Sequence, residues 1–214
     1  SYMDPYSYQP MVTATAPMHR AGRFYGVTTI DLKLEGLHDL LDKVVRPLGG
    51  YAFAVDRNGK FLAFPSEQQV KAYGVDQQGR PTEEFITVAQ FMRQQPQFAP
   101  YADAILRMNS ERLNAALNSP GYDPGVAEWI ADVSYQIEDD EARLIAAVLA
   151  TLKDGISARV AGHIELFLDE DPLLGQPAFA AVFEMPQTYW KIVAVMPYSA
   201  AMASSAAVYK NLLM

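Results

Sequence analysis

The dipeptide Asn58-Gly59 stands between two short apolar runs, Tyr51-Ala52-Phe53-Ala54-Val55 and Lys60-Phe61-Leu62-Ala63-Phe64. Asparagine and glycine tolerate the positive φ angles that a tight hairpin turn needs, so the spacing predicts two antiparallel strands joined at Asp56-Arg57-Asn58-Gly59. Further β-prone runs follow much later in the chain. Gly162 to Leu168, Ala178 to Phe183 and Trp190 to Met196 each have strand length and composition, and Pro197 closes the last one. The simplest closure of the part from Tyr51 onward is a five-stranded antiparallel sheet with helices on its faces, an α+β fold. Its strands are expected near Tyr51 to Val55, Lys60 to Phe64, Ile164 to Leu168, Phe179 to Phe183 and Lys191 to Met196.

Ahead of the hairpin, Met11-Val12-Thr13-Ala14-Thr15-Ala16 and Phe24 to Leu32 predict two more antiparallel strands around a polar turn at His19 to Gly22. They are left over for a second sheet. From Leu34 the period changes: Leu34, Leu37, Leu40, Leu41, Val44 and Val45 fall at helical spacing until Pro47 and Gly49-Gly50 end the element. Between about Ser66 and Ala161 polar loops alternate with three helical faces. Phe85, Val88, Ala89 and Met92 make the first, Ile105, Leu106, Leu113 and Leu117 the second, and Leu144, Val148, Leu149, Leu152 and Ile156 the third. Ser199 to Met214 is alanine-rich and predicts a terminal helix.

Composition narrows the function classes. Among 214 residues, 25 acidic and 17 basic side chains leave a net charge of −8, and no basic run is visible, which argues against a nucleic-acid protein. Half of the residues are hydrophobic, enough for a packed core. The absence of cysteine removes disulfides, thiolate zinc sites and cysteine nucleophiles. No apolar stretch approaches the length of a membrane span, and no signal peptide is recognisable at the N-terminus.

Spacing alone supplies no catalytic constellation. His19, His38 and His163 lack the partners of a metal cage. The acids Glu138-Asp139-Asp140-Glu141 precede a helix and suit the positive end of its dipole. Asp169-Glu170-Asp171 reads as a polar loop, with a hard-cation site as its alternative. Nucleophile elbows, phosphate-binding loops and dinucleotide fingerprints are lacking. Asp31, however, interrupts an apolar strand end, where a carboxylate is costly without donors or a cation. Either it caps the helix that starts near Leu34, or it belongs to a site with the aromatics and the carboxylate of Tyr2-Met3-Asp4.

Tyr2-Met3-Asp4, Val12-Thr13-Ala14-Thr15-Ala16-Pro17-Met18 and Gly26-Val27-Thr28-Thr29-Ile30-Asp31-Leu32, in that order, resemble the end of the membrane-distal module of a double Cache (dCache) sensor domain. Gly50 to Pro65 resembles the opening hairpin of the membrane-proximal module, and Tyr189 to Pro197 its closing strand. The resemblance implies a PAS-like five-stranded antiparallel sheet with flanking helices and a long helical insertion, plus remnant strands of the distal module. It divides the chain into the end of the distal module at 1–33, a connecting helix at 34–49, a proximal module at 50–198 with an insertion at about 66–161, and a helix at 199–214 leading toward a membrane. The family's stalk helix and first distal strands, with their ligand-contacting Arg and Trp positions, would lie upstream of Tyr2.

The function so implied is that of an extracytoplasmic, periplasmic input domain of a bacterial transmembrane receptor, held by spans outside this sequence. Its work would be binding a small metabolite, not catalysis, and the resemblance brings no cofactor, metal or nucleic acid. In the amino-acid-binding branch of the family the positions matching Tyr2, Asp4 and Asp31 approach the ligand's α-amino group. Carboxylates and an aromatic face suit an ammonium group. Two alternatives stay open: a ligand site in the proximal module lined by Tyr51, Phe53 and Trp190, and a ligand-free dimerisation and spacing module.

Overall fold

The computed structural model describes residues 2–4, 10–34, 36–75, 79–133, 137, 139–153, 162–186 and 188–203. In chain order the elements are β1 (Tyr2–Met3), β2 (Pro10–Arg20), β3 (Arg23–Lys33), α1 (Leu37–Val45), β4 (Tyr51–Val55), β5 (Phe61–Ala63), β6 (Lys71–Val75), β7 (Pro81–Phe85), α2 (Val88–Gln94), α3 (Ala99–Leu117), α4 (Pro124–Val133), α5 (Asp139–Lys153), β8 (His163–Leu168), β9 (Ala178–Glu184) and β10 (Lys191–Pro197).

Five of the strands form one antiparallel sheet in the order β5-β4-β10-β9-β8. Counted along the chain this is 2-1-5-4-3, and the helices α2 to α5 all lie between the second strand and the third. The expected sheet is therefore present, strand for strand. Its turn differs in detail: among the described residues of the β4–β5 connection only Gly59 takes a positive φ, at +82°, and the register shifts at Ala54/Val55. Asp56 Oδ1 accepts from the amides of Asn58 and Lys60 at 2.9 Å each, so an aspartate-nucleated loop with a bulge replaces a two-residue turn.

The sheet buries one face through strict alternation. Ala178, Ala180 and Val182 of β9 and Val193 and Val195 of β10 point inward, while β4 is buried along its whole length. Against the inner face stand Phe53, Phe61, Phe64, Phe91, Phe98 and Tyr101, with ring centroids 4.9–6.2 Å apart. The helix α3 lays Tyr101, Ala102, Ile105 and Met108 into this core. The helix α1 packs against β4.

Three expectations need correction. The helix α1 begins at Leu37, not Leu34; Gly36, in the left-handed region at φ +85°, is its N-cap, and Leu34 is buried in the core while its amide bonds to the Pro10 carbonyl. The stretch after Ser66, expected to be mostly loops and helices, also holds an antiparallel hairpin of Lys71–Val75 with Pro81–Phe85 ahead of the helices α2 to α5. Phe85 accordingly ends a strand, and α2 starts behind Thr87, whose hydroxyl and backbone form a capping box with Gln90. The third helical face is α5, with Asp139, Asp140 and Glu141 in its first turn as the dipole argument requires; Glu138 and Ile156 lie outside the described residues. Of the expected terminal helix, residues 198–203 are helical and 204–214 lie outside the described part.

Candidate functional site

The strands β1, β2 and β3 form a separate three-stranded sheet with β2 in the middle. Tyr2 pairs with Met11, Met11 with Lys33, and Thr13 with Asp31, so the three expected positions come to the same end of one ribbon. Asp31 is exposed inside β3, where its Oδ1 accepts a 2.6 Å hydrogen bond from the Thr13 hydroxyl. It does not cap α1, because Gly36 does so without a side-chain bond. Asp4 follows β1 directly and is half-buried. This end of the ribbon is anchored by Met11 and Leu34, both buried, whereas along its length the ribbon exposes Met18, Phe24, Tyr25, Val27, Ile30 and Leu32.

Of the residues of the alternative site, Tyr51 and Phe53 are buried. Phe53 lies in the aromatic core, whose remaining void of about 10 Å³ has room for no more than one water. Tyr51 donates to Asp171 Oδ2 at 2.9 Å, Tyr101 donates to the same oxygen, and Asp171 Oδ1 accepts from the amides of Leu173 and Leu174. Asp171 is thus the structural centre of the 169–171 loop. Burial, together with the neighbouring carboxylate, pushes both phenols well above the ordinary tyrosine range. Among the described residues no group of three or more His, Asp or Glu could hold a metal ion. Trp190 is half-buried and packs on the rim of the core.

A second polar cluster, absent from the sequence reading, lies at the other end of the sheet. Glu184, the last residue of β9, faces Arg112 of α3 and Lys191, the first of β10; all three are buried. Arg112 Nε donates to Glu184 Oε2 at 3.3 Å and Nη2 to Oε1, while Lys191 Nζ lies 3.4 Å from Oε2. Lys191 also donates to Asn109 Oδ1 and to the Arg57 carbonyl. Burial is the main influence on Lys191, pulling its pKa from 10.5 down to about 8 against the attraction of Glu184. The ring of Tyr189 lies on the guanidinium, 4.2 Å from ring centroid to Cζ. The sequence carried a signal: Glu184 and Lys191 occupy inward positions of strands whose other inward residues are Ala and Val.

Comparison with known proteins adds context to this geometry. A 67-residue stretch, 31% of the chain, is 34% identical to the methyl-accepting chemotaxis protein McpC of Bacillus subtilis and covers 10% of that protein. Similar solved structures are the extracellular domains of mmHK1S-Z3 and mmHK1S-Z2, both described as histidine kinases, at 18% and 17% identity and TM-scores of 0.43 and 0.40; they match 96% and 91% of this chain and 50% and 48% of theirs. The ligand-binding domain of Mlp24, solved with asparagine, matches 95% of this chain and 51% of its own at 14% identity and a TM-score of 0.36. No family model matches the sequence. The chain spans about half of each of these sensor domains and a tenth of the chemotaxis protein. Among the described residues no helix is long and apolar enough to cross a membrane.

Proposed function

We propose that this chain is part of the extracytoplasmic input region of a bacterial receptor and binds a small amine or amino acid at the base of the β1–β3 ribbon. Residues 1–33 would then close a distal module and 50–198 form a proximal one. The observation that carries this reading is the order of elements: a ribbon with Asp31 near the end of its last strand joins through Leu34 and α1 to a separate antiparallel sheet in the order 2-1-5-4-3. Asp31 and Asp4 supply negative charge at one end of the ribbon, and an ammonium group is the small-molecule feature that two carboxylates hold best. Tyr2, two residues before Asp4 in the strand paired with β2, would be the third contact. The work is binding, and the signal leaves through β10 and the helical turn that follows it.

The test is calorimetry on the full-length protein with a panel of amino acids and amines, before and after Asp31→Ala. Loss of one charge-assisted contact should weaken affinity by roughly ten- to a hundredfold. An unchanged affinity would refute the site, and a panel in which nothing binds would refute the ligand class.

A further inference from the structure

The Arg112 guanidinium is used on one side only. Glu184 occupies its Nε and Nη2 groups, whereas Nη1 is buried and meets no hydrogen-bond acceptor among the described residues. A buried donor left unpaired costs more than an ordinary hydrogen bond returns, so such a group calls for an occupant. Two cations, Arg112 and Lys191, share the single carboxylate of Glu184. The buried Asp56, whose Oδ1 accepts from the amides of Asn58 and Lys60, adds a second negative charge that attracts Lys191. The roof over the guanidinium is strained as well. Tyr189 is buried at φ +58°, a region that non-glycine residues enter at a cost of roughly 1–2 kcal/mol.

We propose that Arg112 is the anchor of a second binding site, between α3 and the β9–β10 hairpin, for a small monocarboxylate of formate or acetate size. The two oxygens of a carboxylate match the Nη1–Nη2 end of the fork, the end that side-on pairing with Glu184 leaves over. Tyr189 limits the ligand to a small one, because its ring already covers the guanidinium face. The site is independent of the one at Asp31 and differs from it in the sign of charge it takes.

The experiment follows the guanidinium nitrogen resonances of Arg112 by NMR in the labelled full chain, titrated with sodium acetate and, at matched ionic strength, with sodium chloride. A saturable displacement by acetate alone, with a parallel rise in melting temperature, is the expected result. Arg112→Lys keeps the charge and removes the fork, and it should weaken the acetate response at least tenfold. Should that variant fail to fold, the wild-type titration decides alone: no displacement, or an equal one with chloride, overturns the proposal. A full acetate response in folded Arg112→Lys overturns it too. Asp31→Ala should leave the acetate response intact, which separates failure of this site from failure of the amine site.

Discussion

Raising the pH should stabilise this protein before it destabilises it, and Lys191 is the reason. Its side chain is fully buried, and its pKa falls from 10.5 to about 8 in the folded state. Between those values the unfolded chain holds a proton that the native chain has released, so the free energy of unfolding rises with pH. Each pH unit is worth about 1.4 kcal/mol, and the interval as a whole at most about 3 kcal/mol. Below pH 8 both states are protonated and the contribution is flat. Above about pH 10 the sign reverses, because Tyr51 and Tyr101 ionise in the unfolded chain but keep their protons beside Asp171 in the native one. Urea unfolding at intervals from pH 7 to 11 should therefore show a midpoint that climbs from pH 8 to about pH 10 and then drops. In Lys191→Met the climb should disappear while the drop remains. A wild-type midpoint that is level or falling between pH 8 and 10 would refute the assignment of a desolvated lysine.

The remaining predictions concern stability. Asp171→Ala strips the acceptor from two buried phenols and two amides, and should lower the unfolding free energy by about 3 kcal/mol or more, read from chemical denaturation. Phe64→Ala, at a fully buried ring touching Phe53, Phe61, Phe91 and Phe98, should cost roughly 3–5 kcal/mol in the same assay. Ala21→Asn should slow hydrogen exchange along β2 and β3, because Ala21 and Gly22 both have positive φ, +51° and +74°, and asparagine tolerates that region better than alanine; the expected gain is about 0.5–1 kcal/mol.

The sheet is legible because its strands are short apolar runs bounded by turn residues: Ala178 to Phe183 and Ile192 to Met196 are apolar at every position and of strand length, and Pro197 closes the last. Which face of each run is buried shows only in the structure, where Ala178, Ala180 and Val182 or Val193 and Val195 point inward. The β6–β7 hairpin is not legible, since Lys71-Ala-Tyr-Gly-Val75 and Pro81-Thr-Glu-Glu-Phe85 bury little and are not apolar throughout. It is held by cross-strand backbone bonds, by Lys71 pairing with Glu83 at 2.6 Å and Glu67 at 2.9 Å, and by the same ammonium over Phe85. The helical spacing runs back to Leu34, yet α1 starts only at Leu37 because the Leu34 amide is committed to the Pro10 carbonyl. At the candidate site, the pairing of Thr13 with Asp31 follows from register, which a hairpin of this length fixes only through its turn. The cluster of Arg112, Glu184 and Lys191 joins positions far apart in sequence, and no local pattern brings them together.

The strand order has a consequence for how the chain comes to be folded. The neighbours β4 and β10 hold the middle of the sheet, yet more than a hundred residues separate Val55 from its partner Lys191. Until β10 is made, β4–β5 and β8–β9 are two unconnected hairpins, each with a bare inner edge. During synthesis the domain therefore cannot close until almost its last described residues have been released, and its folding should be slow for its size. The same arrangement makes the length of the connecting helices nearly free to vary, since closing a longer loop adds only a logarithmic entropy cost. Helices can be gained or lost between β5 and β8 while the centre of the sheet, and the strand that leads out of it, stay where they are.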